Sequence, residues 1–309
     1  MSTATPIIYF DQQFVPEEKA VVSVRNHSFL YGTSLFEGIR GYWVPEQNAI
    51  SIFANQEHFA RLLSNANIFG MHIEETLEQC CQITAELIQR NGHKGDTYIR
   101  PTIYKHAHVI GPYLDKIPNS LTIFTQPLGA YVDIDSGLSV CVSSWRRLGD
   151  NMIPPRAKAG GAYMNTALIK TEALRNGYDE AIVLTQEGRV SEGSAMNLFI
   201  VRNGKLVTPA VTENILEGIT RNVIIELAKA ELGLEVEERQ VDRTELYVAD
   251  EAFFCGTGAQ VAPITSIDKR PVGTGEIGPL SKQIQELYFD VVKGKVAKYK
   301  HWCTLVPLV

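Results

Sequence analysis

Lys158 stands in a run of small residues, Arg156-Ala157-Lys158-Ala159-Gly160-Gly161-Ala162-Tyr163, and Glu192 follows 34 residues later in Ser191-Glu192-Gly193-Ser194-Ala195-Met196-Asn197. A lysine amine among small side chains can approach a carbonyl and condense with it to a Schiff base. A carboxylate beside a pyridine nitrogen keeps that nitrogen protonated, so that the ring can draw electrons from a carbanion. Together the two residue types point to a pyridine aldehyde cofactor, pyridoxal 5'-phosphate. In that chemistry Lys158 is displaced from the cofactor by a substrate amine and returns as the base at the substrate's α-carbon. Taken singly, each has an ordinary reading: a solvated lysine, and an exposed carboxylate after a turn.

Composition narrows the setting. The chain has 309 residues, 45% hydrophobic and 21% charged, which is enough for two cored domains. A formal net charge of -6, with basic residues scattered, argues against nucleic acid or a polybasic membrane patch as partner. Residues 1–24 carry Lys19 against Asp11, Glu17 and Glu18, unlike a secretory or transit segment. No apolar stretch reaches the roughly 18 residues of a membrane span. Five cysteines without CxxC spacing read as reduced packing residues rather than disulfides or a zinc site, and the cytosol is the expected compartment.

The elements that must position Lys158 and Glu192 follow from periodicity and turn signals. Strands are expected at 7–10, 20–24 and 50–53, around a glycine-broken aromatic segment at 28–40. A helix starts at 56, with Phe59, Leu62, Leu63, Ala66 and Ile68 toward one face. Arg61 interrupts that face and reads either as a surface ion-pair partner or as a phosphate ligand. A second helix is expected over 74–89, with Leu77, Cys80, Cys81, Thr84, Leu87 and Ile88 in register, then strands at 97–104 and 120–126. His106 and His108, in the loop between those strands, are weak grounds for a metal site.

Residues 129–137 lack periodicity and read as a connection between an N-terminal domain, 1–128, and a C-terminal domain, 138–309. The second domain predicts a strand at 138–143, a helix at 163–175, strands at 180–184 and 189–191, and a hairpin of 197–202 with 205–208 across Asn203-Gly204. Gly218-Ile219-Thr220 opens a helix that stops at Gly233, and its N-terminus could face an anion. A strand at 251–255 leads into the tight turn Gly256-Thr257-Gly258, and a last helix ends before Gly294. Gly273-Thr274-Gly275-Glu276-Ile277-Gly278 matches a dinucleotide fingerprint, but no apolar strand leads straight into it and Pro279 follows, so it reads as a loop. A nicotinamide oxidoreductase resting on that pattern and a catalytically silent dimeric binding protein are the readings from other classes.

YGTSLFEGIR, EHFARLL, YIRPTIY, SSWRRLGDNMIPPRAKAGGAY, YDEAIVLTQEGRVSEGSAMNLFIV, LEGITR and ELYVADEAFFCGTGAQVAPI occur in this order over nearly the whole chain. They resemble the branched-chain amino acid aminotransferases, pyridoxal-phosphate enzymes of fold-type IV. The resemblance implies an α/β (α+β) fold of two domains, an active site between them completed across a dimer interface, and at least a homodimer, with a hexamer open. It implies transfer of the amino group between leucine, isoleucine or valine and 2-oxoglutarate. An (R)-amine or D-amino acid transaminase of the same fold is the alternative.

Residue by residue, the resemblance makes Lys158 the Schiff-base lysine, Glu192 the partner of the ring nitrogen and Tyr163 the donor to the phenolate oxygen. Arg61, the N–H groups of Ile219 and Thr220, and Thr257 would hold the phosphate. Tyr98 and the Thr257-Gly258 turn would take the substrate α-carboxylate. Tyr31, Phe36, Tyr131 and Tyr163 would line an apolar pocket, and Arg100 would receive the distal carboxylate of glutamate. The chain departs from the family at Leu128, where many bacterial members have tryptophan, and in the loop 105–112. Both bear on substrate range rather than on the cofactor.

Overall fold

The structure, a computed structural model, describes residues 5–129 and 134–308. The chain forms two compact units: Met1–Gly129 with Ala157–Gly161 and Val291–Val309, and Ala130–Arg156 with Ala162–Asp290. The short segment bearing Lys158 and the C-terminal tail group with the first unit.

The first unit runs β1 (Ile7–Phe10), β2 (Gln13–Pro16), α1 (His27–Tyr31), β3 (Ser34–Phe36), β4 (Ile39–Val44), β5 (Ala49–Phe53), α2 (Asn55–Ala66), α3 (Leu77–Asn91), β6 (Thr97–Lys105) and β7 (Asn119–Pro127). Its sheet has the order β17-β5-β4-β6-β7-β1-β2, where β17 is Cys303–Pro307, and β3 pairs with β6 off that path. The strand expected at 20–24 does not form. Asp11 and Gln12 both take positive φ, 50° and 62°, and fold Gln13–Pro16 back onto Ile7–Phe10 as its antiparallel partner. Val21, Val22 and Val24 are left exposed.

Helices α2 and α3 bury most of the stripe their sequence predicts, with shifted ends. In α2, Phe59, Leu62 and Ala66 are buried, while Ile68 falls beyond the helix and is exposed. In α3 the start moves from 74 to 77 because Thr76 and Gln79 form a capping box, and Gly92 at φ 58° ends it. Cys80, Thr84, Leu87 and Ile88 are buried, but Leu77, in the first turn, is not.

The second unit runs β8 (Leu138–Arg146), α4 (Tyr163–Arg175), β9 (Glu180–Leu184), β10 (Val190–Gly193), β11 (Asn197–Arg202), β12 (Lys205–Pro209), α5 (Ile219–Leu232), β13 (Val236–Arg239), β14 (Glu251–Gly256), β15 (Gln260–Ile267), β16 (Arg270–Pro271) and α6 (Pro279–Val292). Its sheet order is β10-β9-β8-β15-β14-β11-β12-β13, with β16 beside β15. Helix α4 spans the expected residues and sets Ile169 and Ala173 against Cys141, Ala181 and Val183. The strand expected at 189–191 forms one residue later and runs to Gly193, so that Glu192 lies on β10 itself.

All five cysteines are free thiols. No helix among the described residues is long and apolar enough to cross a membrane.

Candidate active site

In the first unit Lys158 is stitched to β3. Phe36 N–H donates to the Lys158 carbonyl at 3.0 Å, Ala159 bridges Leu35, and Gly161 N–H donates to the Gly32 carbonyl at 3.0 Å. The chains approach so closely that a Cβ on Gly32, whose φ is +67°, would stand 2.8 Å from Gly161 Cα. The small residues around Lys158 thus serve backbone docking, and they fix where the amine leaves the chain. Its Nζ lies 5.7 Å from the centre of the Phe36 ring.

Phe36 pairs with Thr102 of β6, and alternation then puts Phe36, Thr102, Arg100 and Tyr98 on one face of the sheet. Arg100 stacks over Phe36 at 4.1 Å and donates to the Tyr98 hydroxyl from Nε at 2.8 Å and Nη2 at 2.6 Å. A phenol oxygen that accepts two guanidinium N–H groups directs its own proton elsewhere, which suits it to donate to a carboxylate. Gly38 keeps room for that phenol, since a Cβ there would meet the hydroxyl at 2.7 Å.

Next to Phe36, Glu37 is almost wholly buried and takes a two-point ion pair from Arg61, Nε to Oε1 and Nη2 to Oε2, both at 2.7 Å. His58, one turn earlier on α2, reaches Glu37 Oε2 through Nδ1 at 2.9 Å. Burial alone would raise the Glu37 carboxyl; the Arg61 guanidinium and the His58 hydrogen bond more than offset it and hold the group well below the ordinary carboxylate range. Arg61 is therefore neither a surface ion pair nor a lone arginine.

In the second unit Glu192 is nearly as buried. Arg147 donates to Oε1 at 2.6 Å, while Asn197 Nδ2 at 2.9 Å and Leu216 N–H at 3.2 Å reach Oε2. Helix α5 opens on Gly218, which makes no side-chain cap to the first N–H groups, Ile219 and Thr220 among them. A Cβ on Gly218 would run into Asn197 Oδ1. Thr257 and Gly258 form the turn between β14 and β15.

The glycine pattern at 273–278 behaves differently. Glu251 accepts from Leu280 N–H at 3.1 Å and from Ser281 N–H at 2.7 Å, filling the N-terminus of α6 that a pyrophosphate would need. The nicotinamide reading loses the helix end that its own glycine pattern would have used.

The structure thus brings Lys158, Phe36, Tyr98 and Arg100 together, and it gives Arg61 and Glu192 buried partners. Tyr163 is the first residue of α4. Tyr31 is placed by other contacts: its ring packs on His27 at 4.8 Å and its hydroxyl accepts from Gly111 N–H at 3.1 Å. Tyr131 lies outside the described residues. Leu128 is tied by its carbonyl to the Arg40 guanidinium at 3.1 Å. Sequence reasoning missed Glu37, His58, Arg147 and Asn197, whose roles arise from contacts that local periodicity does not encode.

The amino-transferase class IV family model matches residues 34–267. The probable branched-chain-amino-acid aminotransferase of Aquifex aeolicus is 48% identical over 298 residues, 96% of each chain. The branched-chain aminotransferase of Thermoproteus uzoniensis with norvaline is 41% identical, with a TM-score of 0.94 over 98% of this chain and 100% of that one. The branched-chain amino acid aminotransferase of Thermobaculum terrenum in its PLP-bound holo form is 40% identical, with a TM-score of 0.93 over 98% of each chain.

Proposed function

We propose that this chain, which belongs to the class IV aminotransferases and within them to the branched-chain-amino-acid aminotransferases, exchanges the amino group between leucine, isoleucine or valine and 2-oxoglutarate with pyridoxal 5'-phosphate. The observation that carries the reading is Lys158 Nζ over the Phe36 ring, with Arg100 stacked on the same ring and bonded to Tyr98. An apolar wall and a carboxylate-binding pair share one face of the sheet, with an amine beside them. The residues fit the cofactor: a buried glutamate with oriented oxygens, and a glycine-opened helix end without a side-chain cap.

When bound, pyridoxal phosphate supplies the aldehyde that takes the amino group and a ring that accepts the electron pair left by proton removal. Lys158 Nζ would hold the cofactor, and its amine, once freed by the substrate amine, would be the base for the proton on the substrate's α-carbon. Glu192, its oxygens held by Arg147 and Asn197, would be the carboxylate for the ring nitrogen. Tyr163 would donate to the phenolate oxygen; Arg61, the Ile219 and Thr220 N–H groups and Thr257 would hold the phosphate. Tyr98 and the Thr257-Gly258 turn take the α-carboxylate. Phe36, Tyr31, Tyr131 and Tyr163 form the apolar walls, and Arg100 takes the distal carboxylate of glutamate. One site then serves an apolar and an anionic side chain in alternate half-reactions.

A division into 1–128, a connection at 129–137 and 138–309 is part of the same reading, as is a homodimer at least. Val21, Val22, Val24, Phe29, Leu30 and Ile110 stand exposed, and their apolar surface supports burial against a second copy. Five free thiols support a reducing compartment, the cytosol.

The test is spectroscopic. Protein mixed with pyridoxal phosphate should absorb in the visible, L-leucine should remove that absorbance and 2-oxoglutarate restore it, and Lys158→Ala should show none of this. A protein that stays colourless ends the reading. D-alanine or (R)-phenylethylamine reacting faster than L-leucine would transfer it to the D-amino acid or (R)-amine alternative.

A further inference from the structure

We infer that Glu37 is the positioning residue of the phosphate-binding arginine, fixing the plane of the Arg61 guanidinium so that it meets the anion already oriented. The inference rests on the reading of Arg61 as a phosphate ligand, and it assigns a role to a carboxylate that the transamination chemistry leaves unused. Three observations carry it. First, the contact is a fork, Nε to Oε1 and Nη2 to Oε2 at 2.7 Å each, which fixes a planar group in rotation as well as position. Second, Glu37 is held by further groups: His58 Nδ1 reaches its Oε2 at 2.9 Å, and its own N–H donates to the Pro101 carbonyl at 3.0 Å. Third, the whole assembly is buried, with side chains 2% exposed for Glu37, 4% for His58 and 12% for Arg61.

A negative carboxylate set only to neutralise Arg61 would weaken anion binding by repulsion. One that orders the guanidinium strengthens it, because a flexible arginine must lose side-chain freedom on binding. The two roles predict opposite signs, so the sign of the effect decides between them. Glu37 also follows Phe36, whose N–H bonds the Lys158 carbonyl, so the same strand end carries the anchors of both the arginine and the lysine.

The experiment measures dissociation constants of pyridoxal phosphate and of unphosphorylated pyridoxal by absorbance titration of cofactor-stripped full-length protein, for wild type, Glu37→Gln, His58→Gln and Arg61→Gln. Arg61→Gln should lose most of the preference for the phosphorylated compound. Glu37→Gln should lower that preference by about tenfold while leaving pyridoxal binding unchanged. His58→Gln, which keeps the fork, should lower it less, and it reports on the same network should Glu37→Gln fail to fold. Arg61→Gln with an unaltered preference overturns the phosphate assignment and the inference with it. A collapsed preference in Arg61→Gln beside an unchanged or increased one in Glu37→Gln overturns the inference alone. A merely structural role for Glu37 would weaken both compounds equally, which also overturns it.

Discussion

Glu37 and Glu192 are both almost fully buried, and each is paired with an arginine about as enclosed as the other's: side chains are 2% and 3% exposed for the glutamates, 12% and 14% for Arg61 and Arg147. Their partners differ in kind. Both Glu37 oxygens are taken by side chains from one helix, α2, through His58 and the Arg61 fork. Glu192 meets Arg147 at one oxygen, and an amide side chain and a backbone N–H at the other. In the first case a fixed carboxylate aims an arginine; in the second an arginine and an amide aim a carboxylate. A buried charge must be paired in either case, so pairing alone does not say which partner serves the function. The direction of support does.

The comparison breaks most sharply at Glu192. Glu192→Gln keeps the shape but removes the charge that the proposed function sets at the ring nitrogen, and kcat should fall by about 10²- to 10³-fold, the loss typical of one preorganised electrostatic contact. Half-reactions with L-leucine in rapid mixing measure this. Pyridoxal phosphate affinity should change far less, whereas Glu37→Gln should move affinity first. Unaltered turnover in Glu192→Gln would remove that residue from the chemistry.

A smaller effect tests the support rather than the carboxylate. Gly218 has φ -69° and ψ 129°, a conformation open to any residue, so Gly218→Ala acts only through its new methyl group. That methyl would meet Asn197 Oδ1, while Asn197 Nδ2 holds Glu192 Oε2 and the Leu216 carbonyl. The expected cost is about 1–3 kcal/mol of stability by overpacking. Turnover should fall by less than in Glu192→Gln. A urea midpoint equal to wild type would show that Asn197 moves freely and does not hold Glu192.

Much of the frame was legible because its signals are local. Helix α4, strand β9 and the Asn203-Gly204 hairpin are written in capping, β-branched and turn residues, and alternation alone puts Tyr98 and Arg100 on one face. The supports were not legible. Glu37 meets Arg61 across 24 positions of sequence and Glu192 meets Leu216 across another 24, distances over which neither periodicity nor turn chemistry reaches. Residues 20–24 show the converse error. Val21, Val22 and Val24 have the β-branching of a strand, but the turn at Asp11-Gln12 had already set Gln13–Pro16 beside β1, whose other side is taken by β7.

The smallest expected effect separates the members of the Glu37 network by pH. Burial pushes His58 below 6.5 against the pull of Glu37, and Arg61 and Lys158 push the same way. The folded protein then keeps His58 neutral at a pH where the unfolded chain protonates it. Its contribution to stability is therefore complete above 6.5 and is lost as pH falls toward the lower folded value, by at most about 1.4 kcal/mol per pH unit. Glu37 is depressed below the ordinary carboxylate, so its contribution stays complete above about 4.5 and is lost only in more acid solution. Between pH 6.5 and 5 the network should lose stability through His58 alone. His93, also lowered by burial, adds a slope of the same sign, so the measurement is the difference between wild type and His58→Gln. Urea midpoints of the cofactor-stripped proteins at pH 7, 6 and 5 should fall less steeply in His58→Gln. Parallel lines would mean that folding leaves the proton affinity of His58 unchanged, and a steeper fall in His58→Gln would mean that His58 keeps its proton in the folded state as a second cation on Glu37.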